Sequence, residues 1–454
     1  LLGYAKKIYT NTPIPMQSLL VKLLHLSPYT RNSTWARVSS INKSILDISN
    51  SPERLRSFID DQLLFLYKKT PKGLFWNNKL DHIQTLNYDT LAKIEPMDAD
   101  TLRIHFDEII NTDIPGYYSS TGGSGRNPSK LYLSDSCYFE DAAHVLWSWS
   151  QMGYIKGTSK LTLRGVNLGK NLFRYNPIYN ELQINIFLMN NDNIIPIIDE
   201  IKKVKPTFGH GYPSEFVRLA HILKAKKVDL HLKGISFVSE SFSEEQRQFV
   251  EKIFNCTVLG FYGHSERAAF ASETLSNKGI YNVFPTYGLI EILKDNNNRA
   301  APGEFGEIVC TGFINFGMPL IRYKTGDYAK VIESKDGIVT KLGPVVGRWG
   351  KDFLIDNKSN KIPTTAINVH IPEQFHFKYI QLEQDFPGKV IIKGVPWPSN
   401  ASSSYQKLNK LANEMTSKSP NIFFTPKVCD ENEIYISHRG KVPYLISKLR
   451  DNKH

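Results

Sequence analysis

The sequence predicts an α/β protein in two unequal parts, a large body of helix-covered β-sheets followed by a small α+β domain. Three observations carry this. From Tyr117 onward, short β-like runs (LYLS at 131–134, QINIFLM at 183–189, GISFV at 234–238, TVLGFY at 257–262, GEIVCTG at 306–312) alternate with helical stretches (141–152, 214–227, 243–254). Such alternation implies a largely parallel sheet. After about Gly347 the segments turn short and charged, with VIIKGV at 390–395, a helical pattern at 405–418 and EIYISHRGKVPYLISKL at 433–449. The length, 454 residues, exceeds one small module and suits two or three domains with ample core.

Each part has its local reasons. SPERLRSFIDDQLLFLYKK at 51–69 opens with a serine cap and a proline, and its Leu, Phe and Ile recur at helical spacing. Residues 1–111 are therefore expected as a helical layer belonging to a first domain over 1–346, with the second over 347–454. Residues 1–26 are broken by Lys6, Lys7, Pro13, Pro15 and Lys22, and read as a surface helix. No apolar run approaches the ~20 residues needed to span a bilayer. The chain starts at Leu1 rather than Met, which leaves room for an upstream segment. DNNNRAAPG at 295–303 is a turn-rich loop, and no internal repeat is found.

Composition excludes more than it selects. With 41% hydrophobic and 22% charged residues the chain is globular rather than disordered. Lys plus Arg total 56 against 44 Asp plus Glu, a balance of +12, but these residues are scattered and no nucleic-acid-binding signature accompanies them. The four cysteines, 137, 256, 310 and 429, form no CxxC pair, which argues against a disulfide framework and fits a reducing cytoplasm.

Four glycine-centred segments carry chemistry. YYSSTGGSGRNPSK at 117–130 combines hydroxyls with glycines, which let backbone N–H groups wrap phosphate oxygens; alone it reads equally as a surface hairpin loop. It is not the P-loop pattern and is expected to lie between strands. FYGHSE at 261–266 offers a ring to stack on a purine, a hydroxyl for a phosphate and a carboxylate for Mg²⁺; its plain reading is a strand end with a helix cap. MPLIRYKTGD at 318–327 holds a Gly-Asp pair whose carboxylate could bind both ribose hydroxyls, or which is a simple hairpin turn. Gly347-Arg348 with Asp352 leads into the small domain and by itself is a charged linker.

Together, in this order, these segments resemble the AMP-forming adenylate-forming ligases, closest to the branch of phenylacetate-CoA ligase and the capsular polysaccharide adenylating proteins. The resemblance runs over roughly residues 60 to 450 and includes IEPMDADTLRIHFDEI at 94–109 and GYPS at 211–214. It implies ATP-dependent activation of a small-molecule carboxylic acid as an acyl-adenylate, followed by transfer to coenzyme A, an amine or a sugar. Transfer to a protein or carrier, and a non-catalytic nucleotide-binding descendant, stay open beside it. A cytoplasmic, magnesium-dependent enzyme, compatible with a homodimer and without nucleic-acid partner or membrane span, is implied.

By the same resemblance Ser120, Thr121, Gly122, Gly123 and Ser124 close over the ATP phosphates. Gly125 and Arg126 depart from the usual Thr-Gly there. Ser239, Glu240 and Ser241 match the adenine-side loop; Tyr262 and Gly263 flank the adenine; Ser265 contacts the α-phosphate; Glu266 holds Mg²⁺; Asp327 binds the ribose. Arg348 contacts ribose or phosphate beside a hinge at Gly350, Lys351 or Asp352. Lys441 in SHRGKVP is the adenylation lysine, with Arg439 near enough to shift the register. His264 occupies a variable position and needs no catalytic explanation, and His210 is expected to be structural, with an approach to the acyl substrate as the alternative. Zinc is not expected: the places where relatives carry Cys/His ligands read Ala271-Ser272-Glu273-Thr274, Asn282-Val283 and 334–337, and His370 and His376 lack metal-site spacing. The acid pocket is expected between residues 168–189 and 209–216, with Phe173, Tyr175, Tyr179 and Tyr212 as candidate walls.

Overall fold

A computed structural model describes residues 9, 12–24, 27–49, 51–120, 130–166, 168–190, 192–294, 296–346, 353–364, 367, 373, 376–396, 403–435 and 444–450. The expected helical layer is present as α1 (Ile14–Leu24), α2 (Asn32–Ser49), α3 (Pro52–Lys69), α4 (Leu74–Leu80), α5 (Tyr88–Leu91), α6 (Ala99–Ile104) and α7 (Phe106–Ile109). Helix α3 starts where the sequence says it should. The Ser51 side chain accepts from the Arg54 amide, and Leu55, Ile59, Leu63 and Leu66 form its buried stripe.

A hairpin follows, β1 (Gly116–Ser120) antiparallel to β2 (Lys130–Ser134), and then α8 (Asp135–Ser150). Its second half, from Ala142 to Trp149, is buried on every side, as suits a helix enclosed by the body. The main strands are β3 (Lys160–Leu163), β4 (Phe173–Asn176), β5 (Glu181–Ile184), β6 (Phe208–Gly211), β7 (Gly234–Phe237), β8 (Thr257–Gly263), β9 (Phe270–Thr274), β10 (Asn277–Val283), β11 (Gly288–Leu293), β12 (Phe305–Gly312), β13 (Tyr323–Lys335) and β14 (Ile338–Leu342). They form one 12-stranded sheet in the order β11-β12-β13-β14-β10-β9-β8-β7-β6-β3-β5-β4.

The expectation of a largely parallel sheet holds for only part of it. Strands β5, β3, β6, β7 and β8 are parallel neighbours, whereas β4 and everything from β9 to β14 pair antiparallel. The reason lies in the connections. Helices α9 (Ile194–Val204), α10 (Pro213–Lys226) and α11 (Glu244–Phe254) carry the chain back between parallel strands, but the links after β8 hold no helix and can only make hairpins and meanders. The QINIFLM run likewise yields a strand only to Ile184, after which Asn185 turns the chain by accepting from the Phe187 amide.

Beyond residue 352 lie a small ribbon, β15 (Phe353–Ile355) with β16 (Lys361–Pro363), and a separate four-stranded sheet. Its order is β19 (Phe423–Val428), β18 (Lys389–Pro396), β17 (Phe377–Phe386) and β20 (Leu445–Ser447), and α12 (Ser404–Lys418) packs against it. Leu408, Leu411, Ala412 and Met415 of α12 share a hydrophobic cluster with Leu161, Ile235 and Val258 of the main sheet. No helix among the described residues is long and apolar enough to cross a membrane.

One buried ion pair ties α11 to the strand that leads into the site. Arg247 Nη1 and Nη2 reach the two carboxylate oxygens of Glu273 at 2.9 and 2.5 Å, Glu273 also accepts from the Gly260 and Gly279 amides, and Arg247 donates to the Val258 carbonyl. Glu273 is wholly inaccessible to solvent. Removing one partner strands the other charge, which typically costs about 3–5 kcal/mol. Glu273→Ala is expected to lose stability on that scale in urea denaturation, with Arg247→Met/Glu273→Leu recovering most of it; a loss under about 1 kcal/mol for the single variant contradicts this role.

Candidate active site

Strand β8 pairs in parallel with β7 through residues 257–260 and antiparallel with β9 through 261–263. Tyr262 therefore stands where the pairing passes from parallel to antiparallel, near the carboxyl end of β8, and open α/β sheets bind ligands outside the carboxyl ends of their strands. Its hydroxyl donates to Asp327 Oδ2 at 3.1 Å, and both residues are buried. Burial, and then the facing carboxylate, raise the phenol's pKa well above its ordinary value, so it remains a donor.

Asp327 is not in a hairpin turn. It follows Gly326 in a bulge inside the long strand β13, where the register against β12 shifts between Glu307 and Val309. Gly326 has φ +77°, a left-handed conformation that glycine adopts without strain. Its amide donates to Glu307 Oε1 at 3.0 Å, Thr325 Oγ1 donates to the Ile308 carbonyl at 2.8 Å, and the Asp327 amide donates to Thr325 Oγ1 at 3.1 Å. The bulge thus turns the Asp327 carboxylate toward Tyr262.

The same strand holds Glu266. Tyr323 Oη donates to Glu266 Oε1 at 2.9 Å, while the other oxygen lies 3.1 Å from His264 Nδ1. His264 Nε2 in turn lies 3.5 Å from Cys310 Sγ on β12. Burial opposes charge on both His264 and Glu266 but is outweighed: Cys310 first and then Glu266 hold the imidazole pKa well above its ordinary value, and His264 holds the Glu266 carboxyl pKa below its own. His264, treated in the sequence as incidental, is the residue that orients Glu266. Cys310 and Tyr323 join it only through the fold, since 46 and 57 residues separate them from their partners.

Arg267 was also missed. It sits at φ +55°, donates to Cys137 Sγ at 3.3 Å, lies 3.6 Å from Asp141 and 5.5 Å from the Tyr138 ring, and so clamps the segment after β8 to the start of α8. Arg322, within the Gly-Asp motif, is structural: it bonds Glu291 and the Ala92 and Ile94 carbonyls, fixing the helical layer to β13.

Ser265 and Gly263 are exposed beside this network. The adenine-side candidates follow β7: Ser239 is exposed at φ +67°, Ser241 Oγ donates to the Val345 carbonyl at 3.0 Å, and Glu240 Oε2 accepts from the Ser214 amide at 3.1 Å. Ser120 ends β1, buried opposite Lys130. Tyr262 pairs with Asp327 and Glu266 with His264 and Tyr323, and the Tyr262 and His264 rings lie 6.1 Å apart, whereas Ser120 and 239–241 lie on other elements. Thr121, Gly122, Gly123, Ser124, Arg348 and Lys441 lie outside the described residues, as do the departures at Gly125 and Arg126. His144 and His210 are both buried; His144 spans the Glu140 carbonyl and Thr286 Oγ1.

The mixed sheet and the Tyr262–Asp327 pair do not by themselves name a function; comparison with known proteins supplies the class. No family model matches the chain. It is 25% identical over 387 residues to protein CapK of Staphylococcus aureus, covering 80% of this chain and 82% of CapK. It is 27% identical over 170 residues to the phenylacetate-coenzyme A ligase of Pseudomonas putida, covering 36% of this chain and 38% of that one. The fold matches the solved structure of 2-hydroxyisobutyryl-CoA ligase in complex with 2-HIB-AMP and CoA, with a TM-score of 0.53 at 14% identity over 87% of this chain and 89% of that one. These likenesses support the AMP-forming adenylate-forming superfamily, in the branch of CapK and phenylacetate-CoA ligase, and indicate an AMP-forming ligase.

Glu240 makes a pH prediction. Enclosure raises its carboxyl pKa from 4.5 to about 7, against the lowering effect of Ser214. A raised folded-state value means stability that is full below pH 4.5 and lost as pH rises through about 7. The loss is roughly 3 kcal/mol at most. Glu240→Gln is expected to remove this slope, so that denaturation at pH 5 and pH 8 gives a smaller difference than in the wild type; parallel behaviour of the two proteins contradicts it.

Proposed function

We propose that this ligase activates a carboxylic acid with ATP: the acid's carboxylate attacks the α-phosphorus, pyrophosphate leaves, and the acyl-adenylate passes its acyl group to an acceptor. The observation that carries the reading is the Tyr262–Asp327 bond, which sets an aromatic face and a buried carboxylate side by side where the sheet changes sense. In this reading Tyr262 and Gly263 border the adenine with Ser239, Glu240 and Ser241, and Asp327 takes the ribose hydroxyls. Ser265 contacts the α-phosphate, and Ser120, Thr121, Gly122, Gly123 and Ser124 enclose the β- and γ-phosphates.

Two anions must meet in the reaction, so positive charge has to be supplied where negative charge develops. Lys441 and Arg348 are the groups proposed for this, carried on a mobile domain over 347–454 that closes for adenylation and then turns to admit the acceptor. Among the described residues no cluster of three or more metal-binding side chains exists. That fits magnesium all the same, because the ion is commonly held by one or two carboxylates together with substrate phosphates. Glu266 would hold it, and when bound it would neutralise phosphate charge; His264 and Tyr323 fix the carboxylate for that purpose.

Coenzyme A is the first acceptor to test, since the matched hydroxyisobutyryl ligase was solved with CoA; an amine, a sugar or a carrier protein are the alternatives. Carboxylate-dependent exchange of labelled pyrophosphate into ATP tests the first half-reaction, and hydroxylamine trapping across an acid panel identifies the acid. Absence of exchange with every acid, despite ATP binding, points instead to a nucleotide-binding protein without ligase activity. Lys441→Ala is expected to lose exchange by on the order of 10²–10³ while still binding ATP. Normal exchange by this variant removes Lys441 from the mechanism.

A further inference from the structure

The parallel half of the sheet holds a second polar cluster that the Tyr262 network does not use. His210 on β6 is the register partner of Thr162 on β3 and of Ser236 on β7, so the three side chains share one face. All three are buried, and the Trp149 ring of α8 lies 5.0 Å from the His210 ring. Arg164, just past β3, brings Nη1 to 3.4 Å from His210 Nε2. A guanidinium only donates, so Nε2 is the acceptor and the proton of the neutral ring sits on Nδ1. Among the described residues that Nδ1–H meets no acceptor, and Trp149 Nε1 and Ser236 Oγ beside it are equally unsatisfied. Buried polar atoms are seldom left this way without a ligand or water to meet them.

The charges around the cluster are one-sided. Lys160 on β3 is buried, with its ammonium bonded to the Tyr179 carbonyl at 2.5 Å and 5.1 Å from the Trp149 ring. Lys418 at the end of α12 is buried too, and burial followed by the nearby Arg164 charge lowers its pKa to about 7. Burial, then Arg164 and Lys160, hold the His210 pKa well below its ordinary value, which keeps the ring neutral. One carboxylate faces them, Glu181, and it is already bonded to Thr162, Asn176 and Gln183. Among the described residues no carboxylate bonds Arg164.

We propose that Arg164 and His210 form the tail end of the acid pocket and select a carboxylic acid that carries a second anionic group, held by the Arg164 guanidinium and His210 Nδ1–H. This rests on the ligase reading and names its substrate class. Strands β6 and β3 stand two and three places from β8, or about 10 and 14 Å at normal strand spacing. A medium-length diacid spans that distance between Arg164 and the end of β8, where its other carboxylate would react.

The test is pyrophosphate exchange by the full chain with succinate, adipate and suberate against butyrate, hexanoate, octanoate and phenylacetate. At matched length the diacid is expected to have the higher kcat/KM by about tenfold or more, the scale of one charge-assisted hydrogen bond. Arg164→Gln should collapse that diacid-to-monoacid ratio toward one, chiefly through KM, and Arg164→Lys should restore part of it. Arg164→Glu should turn the preference toward 6-aminohexanoate. A ratio near one in the wild type, or one that Arg164→Gln leaves unchanged, overturns the proposal while exchange itself upholds the ligase reading; a cluster filled by water alone gives that result. If no acid supports exchange, the ligase reading falls, and the thermal shift with adipate decides the site: stabilisation lost in Arg164→Gln supports it, and none in the wild type overturns it.

Discussion

The site depends on how β8 is paired. The parallel ladder of β8 with β7 covers residues 257–260 and its antiparallel ladder with β9 covers 261–263, so the pairing hands over at Phe261-Tyr262-Gly263. The buried Arg247–Glu273 pair fixes it from below, through the Gly260 amide and the Val258 carbonyl. The bulge at Gly326 fixes it from the side by turning Asp327 onto Tyr262. Neither device touches the proposed reaction, yet both decide where the ring and the carboxylates stand.

Around this point the molecule divides its chemistry. The antiparallel side supplies the paired groups Tyr262, Asp327, Glu266, His264 and Tyr323, each with a partner. On the parallel side the polar face at Trp149, His210 and Ser236 carries unsatisfied atoms and an excess of cations. A nucleotide end and an acid end are the natural assignment of a satisfied, rigid network and an unsatisfied, charged one.

Periodicity made most elements readable. The serine cap of α3, the helices after β6 and β7 and the apolar runs of β5, β7 and β8 follow from local signals, because cap chemistry and amphipathic spacing act within a few residues, whereas the four-residue strands β3, β4 and β6 do not stand out. The antiparallel half was less readable: a strand's propensity does not say which neighbour it takes, and only the short links after β8 encode it. The Gly-Asp pair shows the same limit, as a bulge and a hairpin turn use the same residues and differ in what lies opposite, here Glu307 to Val309. His264 and Cys310 could be found only in three dimensions. One clue was in reach: a histidine two residues before a carboxylate at a strand end can bend back onto it, as His264 does to Glu266.

The central claim is that the junction of β8 with the β13 bulge holds the nucleotide. Calorimetric binding of a non-hydrolysable acyl-adenylate analogue, comparing wild type with Asp327→Ala, tests it most directly. Loss of one charge-assisted contact to the ribose predicts an affinity lower by about tenfold or more. Equal affinity in the two proteins, with both folded, contradicts the account.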